Sequence, residues 1–384
     1  YICPVYGIRF YETTESKFPR WLKRISNEIL FIKSQRETYR KTLVLLESHL
    51  KDEILKQAKF IKPGEWLINY YWNMLRFKRK ANKKVSNKQV EMEDIQFNGV
   101  KIGDLVIDTY VRYKGQPWFA RDDSFTEECI RRAMALSAFT KEAISIHNID
   151  AYISTSNAYI QIGVPLRTAG YMQIPVITFG ANEKYFKFTA ANAVSETTHI
   201  LDYPKPWDQP TNQEIRMHAA KTLEMRVNGN YDNTIPQLRV KRKDELIASE
   251  NYIQNSIVIL LHDFLDSAHI YRSMIFTDFW SWANATLNHC IRNKHKVVVK
   301  SHPGELPESK NITKKLQAIF ESTNIRFIEP STTTGNIFNA NPKLIVSVYG
   351  SVSSEAAYSE IPILLAGDHP AIYYKLGTTA KTKE

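Results

Sequence analysis

Two stretches in the second half of the chain decide the predicted fold, KVVVKSHP at residues 296–303 and KLIVSVYGSVSS at residues 343–354. In each stretch, an apolar run of strand length leads into a polar loop. Ligands of open α/β sheets bind outside the carboxyl ends of the strands. The two polar loops are therefore expected to line one crevice.

Short apolar runs alternate with helical patterns throughout this half of the chain. Near-continuous apolar strands between helices are typical of a parallel sheet that is covered on both faces. A strand–helix–strand pattern over residues 150–179 indicates a further βαβ unit in the first half. The predicted fold class is α/β. Strands are predicted at 256–261, 296–300, 325–328, 343–348 and 361–365, and helices at 271–292, 312–322, 334–339 and 353–359.

The length of the chain, 384 residues, predicts two domains rather than one core. Residues 228–250 are rich in Asn, Gly, Lys and Arg and have weak periodicity, which is typical of a connection between domains. The predicted domains are residues 1–245, with helical additions, and residues 246–384.

The chain carries a formal net charge of +11, part of it in basic clusters at residues 77–84 and 239–243. Such clusters are compatible with a solvated face or with an anionic membrane surface. Residues 18–40 have helical apolar spacing and a basic polar face, so this segment is expected either to lie on a membrane or to pack on its own domain. No nucleic-acid partner is expected, because no nucleic-acid-binding motif accompanies the charge.

Three widely separated cysteines without a CxxC pair argue against a disulfide framework and a structural zinc site, which favours a reducing cytoplasm. No apolar run approaches the ~20 residues that span a bilayer. The sequence shows no signal peptide. It also has neither a P-loop nor a GxGxxG motif, which argues against a kinase and a classical dehydrogenase.

The two polar loops supply most of the predicted nucleotide-binding residues. His302 can donate to a phosphate, and Pro303 fixes the backbone after it. Gly350 permits a tight turn before a helix, where serine hydroxyls add to the bare backbone N–H groups. Simple capping by one serine is the alternative. The predicted nucleotide-binding set is His302, Pro303, Gly350, Ser351, Ser353, Ser354 and, after the strand at 325–328, Glu329.

The loop HDFLDSAH at residues 262–269 follows the strand at 256–261 and is expected at the same edge of the sheet. His262 and Asp263 are candidate catalytic residues in a substrate-binding loop. A metal site and a helix cap are the alternatives, but the histidine and aspartate spacing matches no standard zinc motif. No metal is predicted.

Two carboxylates in the first half are candidates for a general base. Asp104 and Asp108 are four residues apart and share one face of a predicted helix. A carboxylate near a reacting hydroxyl can remove its proton. Asp122 and Asp123 are rivals, and an ordinary solvated helix face is the alternative for all of these residues.

The pair His302-Pro303 followed by Ser353-Ser354 resembles the HP and SS motifs of bacterial sialyltransferases and capsule Kdo transferases, which are GT-B enzymes that use CMP-activated sugars. Residues 299–303 and 345–369 together resemble their nucleotide domain. Teichoic-acid polyol-phosphate polymerases, which use CDP-linked donors, carry a similar arrangement. Residues 262–264 and 102–104 also look like segments of uncharacterised surface-carbohydrate biosynthesis proteins. The acidic-acidic-Gly motif of the sialyltransferases has no clear match, since Asp122-Asp123-Ser124 lacks the glycine.

The resemblance implies a GT-B fold, with two Rossmann-like domains facing across a cleft. The N-terminal domain, residues 1–245, would bind the acceptor, and the C-terminal domain, residues 246–384, would bind the nucleotide-sugar. It implies a metal-independent, cofactor-free, inverting transfer of a CMP-activated 2-keto sugar, such as Kdo or sialic acid, onto a capsular or lipopolysaccharide glycan. The expected partners are a cytidine-nucleotide donor and a glycan or lipid-linked glycan acceptor, with peripheral contact at the inner membrane from the cytoplasm. A CDP-glycerol- or CDP-ribitol-type polyol-phosphate transferase and a non-catalytic carbohydrate-binding protein remain alternatives.

Overall fold

The structure, a computed structural model, describes residues 63–154, 157–179, 185–188, 213–228, 250–270, 273–368 and 374–383. The chain divides into two compact units. The N-terminal unit holds residues 1–114 and 120–195, and the C-terminal unit holds residues 115–119 and 196–384. The predicted boundary at 245/246 lies outside the described residues and stays a prediction, as do the expectations for segments 18–40 and 239–243.

A long helix, α4, organises the described part of the N-terminal unit, and the helices α1, α2, α3 and α5 pack against it. Asp123 caps α4, because its side chain accepts a hydrogen bond from the backbone N–H of Phe125 at 2.7 Å. The elements are α1 (Pro63–Arg76), α2 (Lys78–Ser86), β1 (Gln96–Phe97), β2 (Val100–Lys101), α3 (Gly103–Lys114), α4 (Ser124–His147), β3 (Tyr152–Ser154), α5 (Val164–Tyr171), β4 (Val176–Phe179) and β5 (Tyr185–Phe188).

The predicted βαβ unit of the first half is present. β3 and β4 are parallel neighbours, and α5 lies between them in sequence. β5 then pairs antiparallel with β4. A one-turn π-helix, Tyr159–Gly163, precedes α5.

The C-terminal unit contains a six-stranded parallel sheet, in the order β8-β7-β6-β9-β10-β11. Counted in chain order within the unit, this is 3-2-1-4-5-6, the strand order of a Rossmann fold. The strands are β6 (Ile257–Leu260), β7 (Val297–Lys300), β8 (Ile325–Ile328), β9 (Leu344–Ser347), β10 (Ile363–Leu365) and β11 (Thr378–Thr379). The helices are α6 (Gln213–Val227), α7 (Glu250–Ile253), α8 (Phe279–Arg292), α9 (Pro307–Phe320), α10 (Thr334–Asn339) and α11 (Val352–Tyr358).

The core of this unit explains why these residues form strands. Val258, Val298 and Ile345 on adjacent strands are all buried, and they pack with Phe338 and other apolar side chains of the flanking helices. Each fully buried aliphatic or aromatic side chain stabilises the fold by roughly 1.5–3 kcal/mol. The α/β fold class predicted from the sequence is confirmed.

Two helices of the C-terminal unit differ from prediction in where they begin. The helix predicted from residue 271 begins at Phe279, because Asp278 caps it by accepting a hydrogen bond from the N–H of Ser281 at 2.6 Å. Helix α9 begins at Pro307 rather than at residue 312, and proline is favourable at a first helical position, where no donor is needed.

Helix α6 packs against α10 and α11. The contact is close, since a Cβ added to Gly335 would lie 2.5 Å from the carbonyl oxygen of Val227. Only glycine allows this approach, which brings the last turn of α6 to the first turn of α10. Among the described residues, no helix is both long enough and apolar enough to cross a bilayer.

Candidate functional site

A crevice of about 160 Å³ lies in the C-terminal unit, at the carboxyl ends of β6, β7 and β9. The strand order reverses between β6 and β9, so the crevice occupies the switch point at which open α/β sheets bind ligands. The expectation that the polar loops line one crevice is confirmed. The lining residues are Arg226, Leu260, Leu261, His262, Lys300, Ser301, His302, Pro303, Thr334, Ser347, Tyr349, Gly350, Ser351, Val352 and Glu355.

His302 follows β7 and is oriented by its own loop. The backbone N–H of Gly304 donates to its Nδ1 at 3.1 Å. Burial and the nearby positive charge of Lys300 lower the pKa of His302, against smaller opposite effects from Asp263 and Asp266. The ring is therefore neutral at pH 7, with Nδ1 as acceptor and Nε2–H as donor.

His262 follows β6 and is held between two aromatic rings. Its ring stacks on Phe279 at 4.8 Å between centroids and lies at the same distance from Tyr349 at a tilted angle. Burial and the neighbouring His302 lower its pKa to about 3. Its Nε2 accepts a long hydrogen bond, 3.4 Å, from the N–H of Tyr349. A neutral, fixed His262 forms part of the crevice wall, and at pH 7 it does not act as an acid.

The loop after β9 turns sharply at Gly350, whose φ is +131°, a value that side chains disfavour. The Ser353 hydroxyl donates to the Gly350 carbonyl at 2.8 Å and is buried, so it closes the turn. Ser351 lines the crevice, whereas neither Ser353 nor Ser354 is among the lining residues. The SS pair is expected from the sequence to contact phosphate or ribose in the crevice. It lies instead inside the first turn of α11, which begins at Val352.

Glu355 is a buried carboxylate in the lining of the crevice. It accepts hydrogen bonds from the hydroxyls of Thr334 at 2.9 Å and Ser351 at 3.1 Å. Arg226 of α6 lies 3.6 Å from it. These contacts join α6, α10 and α11 around one negative charge.

Lys300 adds a buried cation at the end of β7, two residues before His302. With both histidines neutral, Lys300 and Arg226 outweigh the single carboxylate of Glu355 in the crevice lining. The crevice therefore has a net positive lining that favours an anion. Helix α11 has only seven residues, so its dipole adds little to this charge.

Asp263 stabilises the loops beneath the crevice. Its carboxylate accepts from the N–H of Leu306 at 2.8 Å, the N–H of Leu265 at 2.9 Å and the hydroxyl of Ser309. These bonds tie the loop after β6 to the start of α9. These three hydrogen bonds leave the carboxylate little acceptor capacity for the predicted catalytic role. They favour a structural role for Asp263.

Asp104 and Asp108 lie on α3 of the N-terminal unit, and both are buried. Asp104 forms a two-point ion pair with Arg167, at 2.6 and 2.8 Å. One of its oxygens also accepts from the N–H of Leu105. The solvated helix face considered as an alternative is therefore wrong for both residues, and the pairing favours a structural role for Asp104.

The remaining candidates are not among the residues that line the crevice. Glu329 is exposed after β8 and is not among the lining residues. Asp122 is exposed and pairs with Lys88, and Asp123 caps α4. Among the described residues, no cluster of three or more His, Cys, Asp or Glu side chains is arranged to hold a metal ion.

No protein-family model matches the chain, and no curated protein matches it. Several solved structures are similar to it at low identity. A UDP-GlcNAc 2-epimerase of Methanocaldococcus jannaschii, in complex with UDP-GlcNAc and UDP, is 11% identical, with 73% of this chain and 86% of that chain covered and a TM-score of 0.29. A UDP-GlcNAc 2-epimerase of Neisseria meningitidis, bound to UDP-GlcNAc, is 13% identical, with 70% and 79% covered and a TM-score of 0.23.

A third similar structure is S. aureus MnaA with UDP, at 16% identity, 61% coverage of each chain and a TM-score of 0.23. TM-scores this low carry no argument about this chain. The functional interpretation rests instead on the strand order, the crevice and its lining residues.

Proposed function

We propose that the crevice binds the phosphate of a nucleotide-activated sugar and that the protein transfers this sugar to a glycan acceptor. The observation that carries the proposal is the placement of His302, Lys300 and the Gly350 turn at the switch point of a Rossmann-type sheet. A neutral imidazole N–H, a buried ammonium group and a sharply turned backbone together suit a phosphate.

The proposed reaction is a single displacement at the anomeric carbon. The acceptor oxygen forms a bond to that carbon while the bond from the carbon to the phosphate oxygen breaks. The phosphate leaves with the electron pair, and a base takes the acceptor proton. Donors placed in advance around the leaving phosphate stabilise the charge that develops on it. Lys300 and the Nε2–H of His302 would act in this way.

For the base, Asp104 and Asp108 remain the candidates that the sequence supplies. Arg167 binds both oxygens of Asp104, which weighs against Asp104 as the base. Turnover of Asp108→Asn, compared with that of Asp104→Asn at a temperature where both variants are folded, separates the two candidates.

A cytidine nucleotide is the proposed donor, on the strength of the HP and SS resemblance. The test is a thermal-shift screen with CMP, CDP, UMP, UDP and GDP, since a ligand that binds the native state raises its stability. Stabilisation by cytidine nucleotides supports the proposal, whereas stabilisation by uridine or guanosine nucleotides alone contradicts the cytidine assignment. Release of CMP from CDP-glycerol would instead indicate attack on phosphorus by a polyol-phosphate transferase.

Peripheral membrane contact is proposed for helix α1. Ile68, Trp72 and Leu75 share one side of this helix and are 76%, 72% and 69% exposed. Arg76, at the end of α1, and the basic cluster at residues 77–84 together hold six Lys or Arg and no acidic residue. Exposed apolar side chains beside cations are typical of helices that lie on anionic membranes.

Sedimentation with vesicles tests this contact. Ile68→Ser/Leu75→Ser is expected to reduce binding to phosphatidylglycerol vesicles, and the control Ile319→Ser, at a 55% exposed position of α9, is not. Equal binding by all three proteins would contradict the proposal.

A further inference from the structure

A second cavity, of about 430 Å³, lies in the N-terminal unit beside α2. Three of its lining residues are lysines and none is acidic. The lining residues are Lys80, Lys83, Lys84, Asn87, Val90, Ile95, Gln96, Phe97, Asn98 and Met134. We call this cavity the lysine pocket.

The three lysines project from one side of α2, because their spacing of three and four residues places them on one helical face. None of the three has a carboxylate partner among the residues that the structure describes. Two acidic side chains of this region pair with other lysines. Asp94 pairs with Lys101 at 3.1 Å, and Asp122 pairs with Lys88. The lining of the pocket therefore carries a net positive charge.

Arg121 fixes the wall that carries these lysines. Its guanidinium donates to the carbonyls of Val85 at 3.0 Å, Val90 at 2.8 Å and Lys84 at 3.2 Å, and also to that of Asn87. These carbonyls form the negative end of α2 and the loop after it. Because Arg121 donates to these carbonyls, they are not left to accept hydrogen bonds from the lysine ammonium groups. The same bonds connect α2 to the loop after it.

The floor of the lysine pocket is apolar. Ile95, Phe97 and Met134 are buried beneath it. Burial lowers the pKa of Lys84, which means that its charge is costly in the empty pocket. An anion at this position would offset that cost, and an apolar group attached to the anion would contact the floor.

We propose that the lysine pocket binds a phosphate or diphosphate group. Three closely spaced ammonium groups match a multiply charged anion better than a single carboxylate. The phosphate can belong to a free phosphorylated metabolite or to a lipid carrier whose apolar chain begins next to its diphosphate. The proposal does not rest on the proposed function, because its residues are separate from those of the crevice.

Calorimetric titration of the full chain with pyrophosphate tests the site. Lys80→Gln/Lys83→Gln removes two charges from the pocket. The matched control Lys78→Gln/Arg79→Gln removes two charges from the same helix outside the lining. All four residues are exposed, so both variants are expected to fold, and circular dichroism checks this. We expect the pocket variant to lose about tenfold or more in affinity and the control to change by less than about twofold.

The titrations are repeated in a His302→Ala background, since the crevice is itself expected to take phosphate. In this background, the pocket variant should still lose about tenfold in pyrophosphate affinity. If only the crevice proposal is wrong, this loss is unchanged. Equal losses in pocket variant and control would indicate non-specific charge attraction and overturn the proposal, as would the absence of pyrophosphate binding in the His302→Ala protein.

Farnesyl diphosphate and farnesol distinguish the source of the phosphate. Tighter binding of farnesyl diphosphate than of pyrophosphate assigns the pocket to a lipid carrier, and equal binding assigns it to a free phosphorylated metabolite. Both results support a phosphate site. Farnesol binding as tightly as farnesyl diphosphate would show that the phosphate contributes nothing and would overturn the proposal.

Discussion

The backbone N–H of Gly304 donates a hydrogen bond to Nδ1 of His302. This bond requires a lone pair on Nδ1, so the neutral ring carries its proton on Nε2. Pro303 lies between the two residues, and its fixed φ angle restricts the backbone of the turn. The N–H of Gly304 is therefore held close to the imidazole ring of His302. The turn SHPG thus sets both the direction and the tautomer of the imidazole.

His302 is expected to titrate below the ordinary histidine value of 6.5, because burial and Lys300 lower its pKa. Its neutral Nε2–H form should therefore predominate at pH 7 in the free protein. Long-range proton–nitrogen spectra of histidine-labelled protein report both the tautomer and the midpoint, and His302→Gln identifies the signal. A midpoint above 6.5, or a proton on Nδ1, would contradict this geometry.

His262 is expected to make stability depend on pH. Its folded-state pKa of about 3 lies below the unfolded value of 6.5, so the unfolded chain binds a proton at a pH where the folded chain does not. Its contribution is fully present above pH 6.5 and is lost as the pH falls towards 3, by about 1 kcal/mol per pH unit. Denaturant unfolding at pH 5 and pH 7 measures this slope. His262→Gln should show a smaller slope, and an unchanged slope would rule out His262 as its source.

Gly350→Ala is expected to destabilise the loop after β9 through the backbone alone. The added Cβ would meet no atom nearer than 4.0 Å, but φ is +131°. Forcing a side chain into such a conformation costs on the order of 1–3 kcal/mol. Thermal unfolding should show a lower midpoint, and nucleotide affinity should fall as the turn relaxes. A variant with unchanged midpoint and affinity would show that the turn needs no glycine.

Asp104→Asn is expected to destabilise the N-terminal unit by about 3 kcal/mol or more, because it leaves the buried Arg167 guanidinium without its charged partner. Asp94→Asn is the control, since it breaks an exposed pair with Lys101 that is worth at most about 1 kcal/mol. Urea unfolding compares the two variants. Equal stabilities would remove the structural role and favour Asp104 as the base.

Much of the C-terminal unit could be predicted from the sequence because its signals are local. Apolar runs of strand length predicted β6 to β10, and the polar residues that end β6, β7 and β9 predicted the crevice. The first of the two polar motifs, His302-Pro303, lies where expected. Lys300 could also have been found, since it ends β7 two residues before His302.

Other features depend on tertiary packing that no local pattern encodes. Arg226 reaches the crevice only because α6 packs on α10 and α11, in a part of the chain that the sequence assigns to the N-terminal domain. From the sequence alone, Glu355 is an ordinary residue in the first turn of a helix. Its place in the crevice follows only from its contacts with Thr334 and Ser351. The sequence did not predict the ion pair of Asp104, because its partner, Arg167, is 63 residues away in the chain.

Calorimetric comparison of a nucleotide with its nucleoside, on wild type, His302→Ala and the control His289→Ala, tests the central claim most directly. His289 is exposed on α8, outside the crevice. With CMP and cytidine, wild type and His289→Ala should bind the nucleotide more tightly than the nucleoside, and His302→Ala should lose about 10- to 100-fold of this preference. If His302→Ala keeps the full preference for CMP, His302 does not bind the phosphate, and the account of the crevice is contradicted.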